Sequence, residues 1–157
     1  MTNHRIKKTV LLFGEGGKEE RFFRFLEDTN RFKAISHEWS IYTDHASGSS
    51  CREVLKKCIK VIVERSYELV MCFIDTDKLY SDFPNKHEKE RKDLEELAKQ
   101  NSIKIIWQEK NHEDELRVAT KGKIKGKGRM KERLKLHEKK LENSNFVKRI
   151  FAHFKLS

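Results

Sequence analysis

The sequence predicts an α/β fold: a core of about four mostly parallel strands flanked by helices, followed by a basic helical C-terminal extension. Three observations predict it. Unbroken apolar runs of strand length occur at Val10–Phe13 and Leu69–Ile74, and a mostly apolar one at Ile103–Trp107, as expected of strands buried on both faces. Between them lie stretches with apolar residues every three or four positions, the pattern of amphipathic helices. Strand and helix alternate four times along the chain, which implies a sheet covered by helices on both faces.

The elements follow in order. Val10-Leu11-Leu12-Phe13 is closed abruptly by Gly14-Glu15-Gly16-Gly17 and reads as the first strand. From Lys18 to Phe32, Phe22, Phe25, Leu26 and Thr29 recur at helical spacing, with Glu19 and Glu20 in the first turn, where the helix dipole favours acids. Trp39–Thr43 is a second strand. Ala46 to Ser50 reads as a loop ending in an N-cap, and Cys51–Arg65 as a helix through Val54, Leu55, Cys58, Ile59 and Ile62. Leu69–Ile74 is the most apolar run and stops at Asp75-Thr76-Asp77. Tyr80–Asn85, which holds the only proline, Pro84, is expected as a loop before a charged helix at His87–Gln100. Ile103–Trp107 is the fourth strand, and Asn111–Thr120 a short helix or turn. A glycine-rich basic linker then spans Lys121–Arg129, and helical patterns resume at Met130–Leu141 and Phe146–Phe154. Their apolar stripes need a surface, either the core or a second subunit.

A chain of 157 residues suffices for one domain with a hydrophobic core and is too short for two ordinary ones. The expected division is a core over residues 1–120 and an extension over residues 121–157. Charged residues make up 38% of the chain and hydrophobic ones 36%, yet the apolar residues cluster, which excludes wholesale disorder. No apolar run approaches the roughly 18 residues of a membrane span. The opening MTNHRIKK leads straight into a strand without a small-residue cleavage site, so a cytoplasmic protein is expected. Cys51, Cys58 and Cys72 read as buried free thiols, and no C-x-x-C pair supports structural zinc.

The net charge of +10 is unevenly placed. Residues 121–157 contain 13 Lys+Arg against 3 Asp+Glu, whereas residues 1–120 are balanced at 22 of each. A neutral core with a cationic arm gains affinity for polyanions by releasing their counterions.

Two acidic features stand at strand ends, where α/β sheets gather functional groups. In Asp75-Thr76-Asp77, two carboxylates spaced i, i+2 can serve one hard divalent cation such as Mg²⁺, which takes oxygen ligands. The competing reading is that Asp75 merely caps a helix or turn. Glu15 is the single acid in a glycine-rich turn that lets a ligand approach closely, and its competing reading is a solvent-exposed turn acid. The same turn is not a P-loop: Leu12 stands where the first glycine should be, and Glu19 where Ser or Thr should hold the metal. A dinucleotide fingerprint fails too, for want of its later glycine.

Glu15-Gly16 after an apolar strand, Asp75-x-Asp77 after a later one, and a further strand leading to more acids resemble a Toprim domain. Glu15-Gly16-Gly17-Lys18-Glu19-Glu20, followed by Arg21-Phe22-Phe23, and Asn111-His112-Glu113-Asp114-Glu115-Leu116 look most like the OLD-like and RloB-like branch. The resemblance covers about residues 8–118. It implies a four-stranded parallel core that binds Mg²⁺ or Mn²⁺ and acts on phosphodiester bonds of DNA or RNA. Carried over, Glu15 is the motif glutamate, and Asp75 and Asp77 are the metal-binding aspartates. Glu19 or Glu20 matches the second acid of the first motif, and Glu113 or Glu115 the late acid that helps hold a second metal. The branch usually has a proline, an aromatic before the late glutamate and a tryptophan after it; none stands around Glu113–Leu116.

Candidate nucleic-acid contacts are Lys18, Lys121, Lys123, Lys125, Lys127, Arg129, Lys131 and Arg133, with the Ser49/Ser50 helix start as a further phosphate site and Tyr80 as a base-stacking ring. His45, His112 and His137 read as surface or packed residues, with His112 singled out by its neighbour Glu113. The leading expectation is a metal-dependent nuclease, in phage defence or nucleic-acid processing by family analogy. The alternative is a non-catalytic module that binds nucleic acid or a partner, including a subunit that packs on a larger protein or a second copy.

Overall fold

The computed structural model describes residues 6–48, 50–120 and 130–154, with the backbone alone for residues 130–132. The expected linker residues Lys121, Lys123, Lys125, Lys127 and Arg129 lie outside the described residues, as do Ser49 and the side chain of Lys131. Strand β1 (Lys8–Gly14) is followed by α1 (Gly17–Glu27), α2 (Asn30–Lys33), β2 (Trp39–His45), α3 (Cys51–Glu64), β3 (Leu69–Asp75), α4 (Thr76–Asp82) and α5 (His87–Gln100). Then come β4 (Lys104–Gln108), α6 (His112–Ala119), α7 (Met130–Leu136), α8 (Glu138–Glu142) and α9 (Asn145–Phe151). The four strands form one parallel sheet in the order β2-β1-β3-β4. This is the α/β fold that the alternation predicts.

Both faces of the sheet are buried, so successive strand residues feed two cores. Val10, Leu12, Met71, Phe73 and Ile106 face one cluster with Phe22, Phe23 and Leu26 of α1. Leu11, Phe13, Val70, Cys72 and Ile74 face the other, with Val54, Leu55 and Cys58 of α3 and Leu94 and Ala98 of α5. Helix α3 starts where the Ser50 hydroxyl accepts from the Glu53 N–H, as its N-cap position demands. All three cysteines are free and buried. Among the described residues no helix is long and apolar enough to cross a membrane.

The apolar stripes of the C-terminal helices find their surface on the core itself. Leu134, Leu141, Phe146, Val147 and Ile150 are buried in the same cluster as α1, so α7, α8 and α9 help cover the first face of the sheet.

Several boundaries differ from the periodicity for local chemical reasons. The helix expected from Lys18 to Phe32 breaks at Thr29, whose hydroxyl donates to the Leu26 carbonyl at 2.6 Å and accepts from the Phe32 N–H at 3.2 Å, capping α2. The loop expected at Tyr80–Asn85 is half helix, because α4 follows β3 without a gap and runs to Asp82. The helix expected at Met130–Leu141 splits at His137, and the last one ends at Phe151.

Ile150 is fully buried whereas Leu136 is 79% exposed. Ile150→Ala is therefore expected to lower the unfolding free energy by about 2–5 kcal/mol, and Leu136→Ala by no more than about 0.5 kcal/mol, as measured by chemical denaturation.

Candidate metal centre

Strand order places the switch point of the sheet between β1 and β3: the chain leaves β1 to form β2 on one side and returns to form β3 on the other. Crevices at such points, outside the carboxyl ends of the strands, are where α/β sheets bind ligands. Glu15 directly follows β1, and Asp75 is the last residue of β3. The third acid, Glu19, comes from the first turn of α1. It folds back over the strand end because Gly14 has no side chain: a Cβ there would lie 2.5 Å from the Glu19 Cβ and 3.0 Å from its Cγ. The Gly16 N–H donates to Glu19 Oε2 at 3.2 Å and holds the turn. Glu15, Glu19 and Asp75 are 5%, 5% and 7% exposed, and one oxygen from each lies within 4.8 Å of the others.

Burying three carboxylates together demands compensation. The Asp75 N–H donates to Glu15 Oε1 at 3.3 Å, and the Lys78 ammonium stands 3.1 Å from Glu15 Oε2. Burial lowers the Lys78 pKa, but the charge and hydrogen bond of Glu15 and the charge of Asp75 more than offset it, so it ends raised. Asp75 is pushed up to about 9, first by burial, then by the charge and hydrogen bond of Glu15 and the charges of Glu19 and Asp77. Glu19 is raised as well, chiefly by burial.

Behind Asp75 lies a buried polar chain. Gln108, the register partner of Asp75 across β3 and β4, donates from Nε2 to Asp75 Oδ1 at 2.8 Å. Its Oε1 is 2.6 Å from His112 Nδ1. Burial pushes His112 down to about 3, so the ring is neutral at ordinary pH.

The other acids named from the sequence have different surroundings. Asp75 occupies the N-cap position of α4 but makes no side-chain capping bond; its carboxylate is turned to Gln108 instead. Asp77 is exposed in the first turn of α4, its carboxylate accepting from Asn111 Nδ2 at 3.3 Å. It is not one of the three convergent acids and acts on Asp75 through its charge. Glu20 faces β2, 3.1 Å from His45 Nδ1 and 3.4 Å from the Thr43 hydroxyl. Glu113 is at the surface, ion-paired with Lys18. Glu115 is buried but engaged, accepting from Arg149 Nη2 at 2.6 Å and from the Glu109 N–H at 3.0 Å. Arg133 is half-buried on α7, the Ser50 hydroxyl is taken up in capping α3, and Tyr80 meets His87 edge-on at 4.8 Å. Sequence reasoning missed Lys78 and Gln108. The signal for Gln108 was a polar residue ending an apolar strand, and for Lys78 a cation one helical turn beyond Asp75.

The donor set suits a hard divalent cation: among the described residues three carboxylate oxygens converge, the Lys78 ammonium stands beside Glu15, and burial followed by the neighbouring acids raises the Asp75 carboxyl. No protein-family model, curated protein or solved structure matches this chain.

Two outcomes are expected. Between its ordinary 3.8 and about 9, Asp75 keeps a proton in the folded chain that the unfolded chain has released. Its contribution to stability therefore falls as pH rises across that window. Thermal melts of metal-free protein should lose midpoint temperature over this range. Asp75→Asn should flatten the loss, and Mn²⁺ should raise the wild-type midpoint more at pH 8 than at pH 6. Gly14→Ala should displace Glu19 and weaken Mn²⁺ binding about tenfold in titration calorimetry.

Proposed function

We propose that this chain is a metal-dependent nuclease of the Toprim type, hydrolysing phosphodiester bonds of DNA or RNA with Mg²⁺ or Mn²⁺ held by Glu15, Glu19 and Asp75. The observation that carries this reading is the convergence of three buried carboxylates at the switch point of a parallel sheet. Two features of the sequence support it: the Glu15-Gly16 and Asp75-x-Asp77 resemblance, and an excess of positive charge in residues 121–157 suited to a polyanion.

A cation bound here would polarise a phosphoryl oxygen and lower the pKa of an attacking water. The protein's own groups have separate tasks. Glu15, Glu19 and Asp75 present oxygens from a rigid sheet edge, so little reorganisation is needed when the substrate arrives. Asp77, exposed beside them, can accept a proton from water at the rim of the site. Lys78 and Lys18 lie on the two helices that start at the cluster, α4 and α1, where their ammonium groups can meet phosphate oxygens. Glu115, engaged by Arg149, is not offered to a second cation, so the reading is a site centred on one ion. The basic residues Lys121, Lys123, Lys125, Lys127, Arg129, Lys131 and Arg133 would hold the strand. The buried free thiols suit a reducing, cytoplasmic setting.

Cleavage of labelled single- and double-stranded DNA and RNA with Mn²⁺ tests the proposal. Asp75→Asn and Glu15→Gln are expected to reduce the rate by about two orders of magnitude or more, with salt-sensitive binding retained. Glu96→Gln, on the exposed side of α5, should leave it unchanged. Binding without cleavage by the wild type would return the chain to the class of nucleic-acid-binding modules.

A further inference from the structure

Gln108 is completely buried and His112 is 2% exposed. The His112 ring meets aromatic neighbours: it packs edge-on against Phe22, with centroids 5.2 Å apart, and lies 6.3 Å from Phe146. The two residues form one directed chain to the acidic cluster. Among the described residues, His112 Nε2 is buried without a hydrogen-bond partner. A proton on that nitrogen would be a buried donor with no acceptor, so the favoured tautomer carries it on Nδ1. Nδ1–H then donates to Gln108 Oε1, 2.6 Å away. With the amide oxygen fixed in that direction, the amide NH₂ must face the acids. There it donates to Asp75 Oδ1 at 2.8 Å. The amide is thus a donor to one of the three convergent carboxylates.

We propose that Gln108, locked in orientation by His112, is a positioning residue for the cation: it fixes Asp75 as an acceptor with Oδ1 occupied, leaving Oδ2 for the metal. The inference rests on reading the cluster as a cation site, and extends it to two residues that touch no substrate. A neutral donor is the right partner here. It steadies the anionic form of the carboxylate without adding a positive charge that would repel the ion, and supporting hydrogen bonds of this kind govern ligand orientation in metal sites. A fourth acid in place of the amide would bring a further negative charge into the cluster, and an apolar residue would leave Asp75 Oδ1 without its donor.

The test is Mn²⁺ binding to nucleic-acid-free protein by titration calorimetry, with thermal melts in parallel. His112→Phe keeps an aromatic ring between Phe22 and Phe146 but removes the donor to Gln108. It should remain folded, melting somewhat lower because Gln108 Oε1 loses its donor, and bind Mn²⁺ about tenfold or more weakly. The double variant Gln108→Met/His112→Phe removes both polar groups, so that neither is left unpaired, and should likewise be folded and bind weakly. A purely structural role predicts the opposite pairing, in which affinity stays at the wild-type level wherever the fold is intact. Wild-type affinity in either folded variant overturns this inference alone, as does loss of fold in both. No Mn²⁺ binding by the wild type overturns the reading of the site on which it rests.

Discussion

Mutual repulsion among three carboxylates held out of water is the constraint around which the rest of this molecule is arranged. Charges of like sign a few ångströms apart interact strongly where solvent is scarce, and side chains left to themselves would swing apart. Here they cannot. Glu15 and Asp75 leave adjacent hydrogen-bonded strands, and Glu19 is folded against a strand end that lacks a Cβ. The fixed geometry converts electrostatic cost into affinity for whatever positive species can enter, whether a proton on Asp75 or a metal ion. Lys78 offsets part of the repulsion from the rim, and the positive end of the α1 dipole at Glu19 offsets another part. His112 makes the converse contribution: it is held neutral, so the stability it brings is complete above about pH 6.5 and drains away as pH falls towards 3.

How much of this could be read from the sequence depends on the range of the signal. Strands β1 and β3 were legible because each holds a continuous apolar run, and an acid just after such a run, as with Glu15 and Asp75, is visible without a fold. The choice between Glu19 and Glu20 was also encoded, in the helix phase: Glu19, Phe22, Phe23 and Leu26 share the buried face of α1, while Glu20 lies off it. Asp77 stands outside the three convergent acids because spacing i, i+2 brings side chains to one side only in extended chain. Helix α4 begins at Thr76, and helical residues two apart do not face each other. Glu115 was illegible locally, since the arginine that engages it is 34 residues further on. Gln108 escaped because its role comes from sheet register, a property of two strands together.

Thr29 and His137, where expected helices break, show the limit of periodicity in another way. The apolar pattern continues through both positions, yet a hydroxyl able to cap, or a turn that lets α8 pack at a new angle, redirects the chain. Periodicity reports which residues are buried more faithfully than it reports where one rod ends and the next begins.

Phe146, on α9, lies 5.4 Å from Phe22, and 6.3 Å from both Phe73 and His112, between ring centroids. These three partners belong to the elements that carry Glu19, Asp75 and the Gln108 lock. During synthesis the acids leave the ribosome early, and the ring that binds their supports together emerges far later. The elements that carry the acids therefore gain this aromatic contact only after α9 has been made.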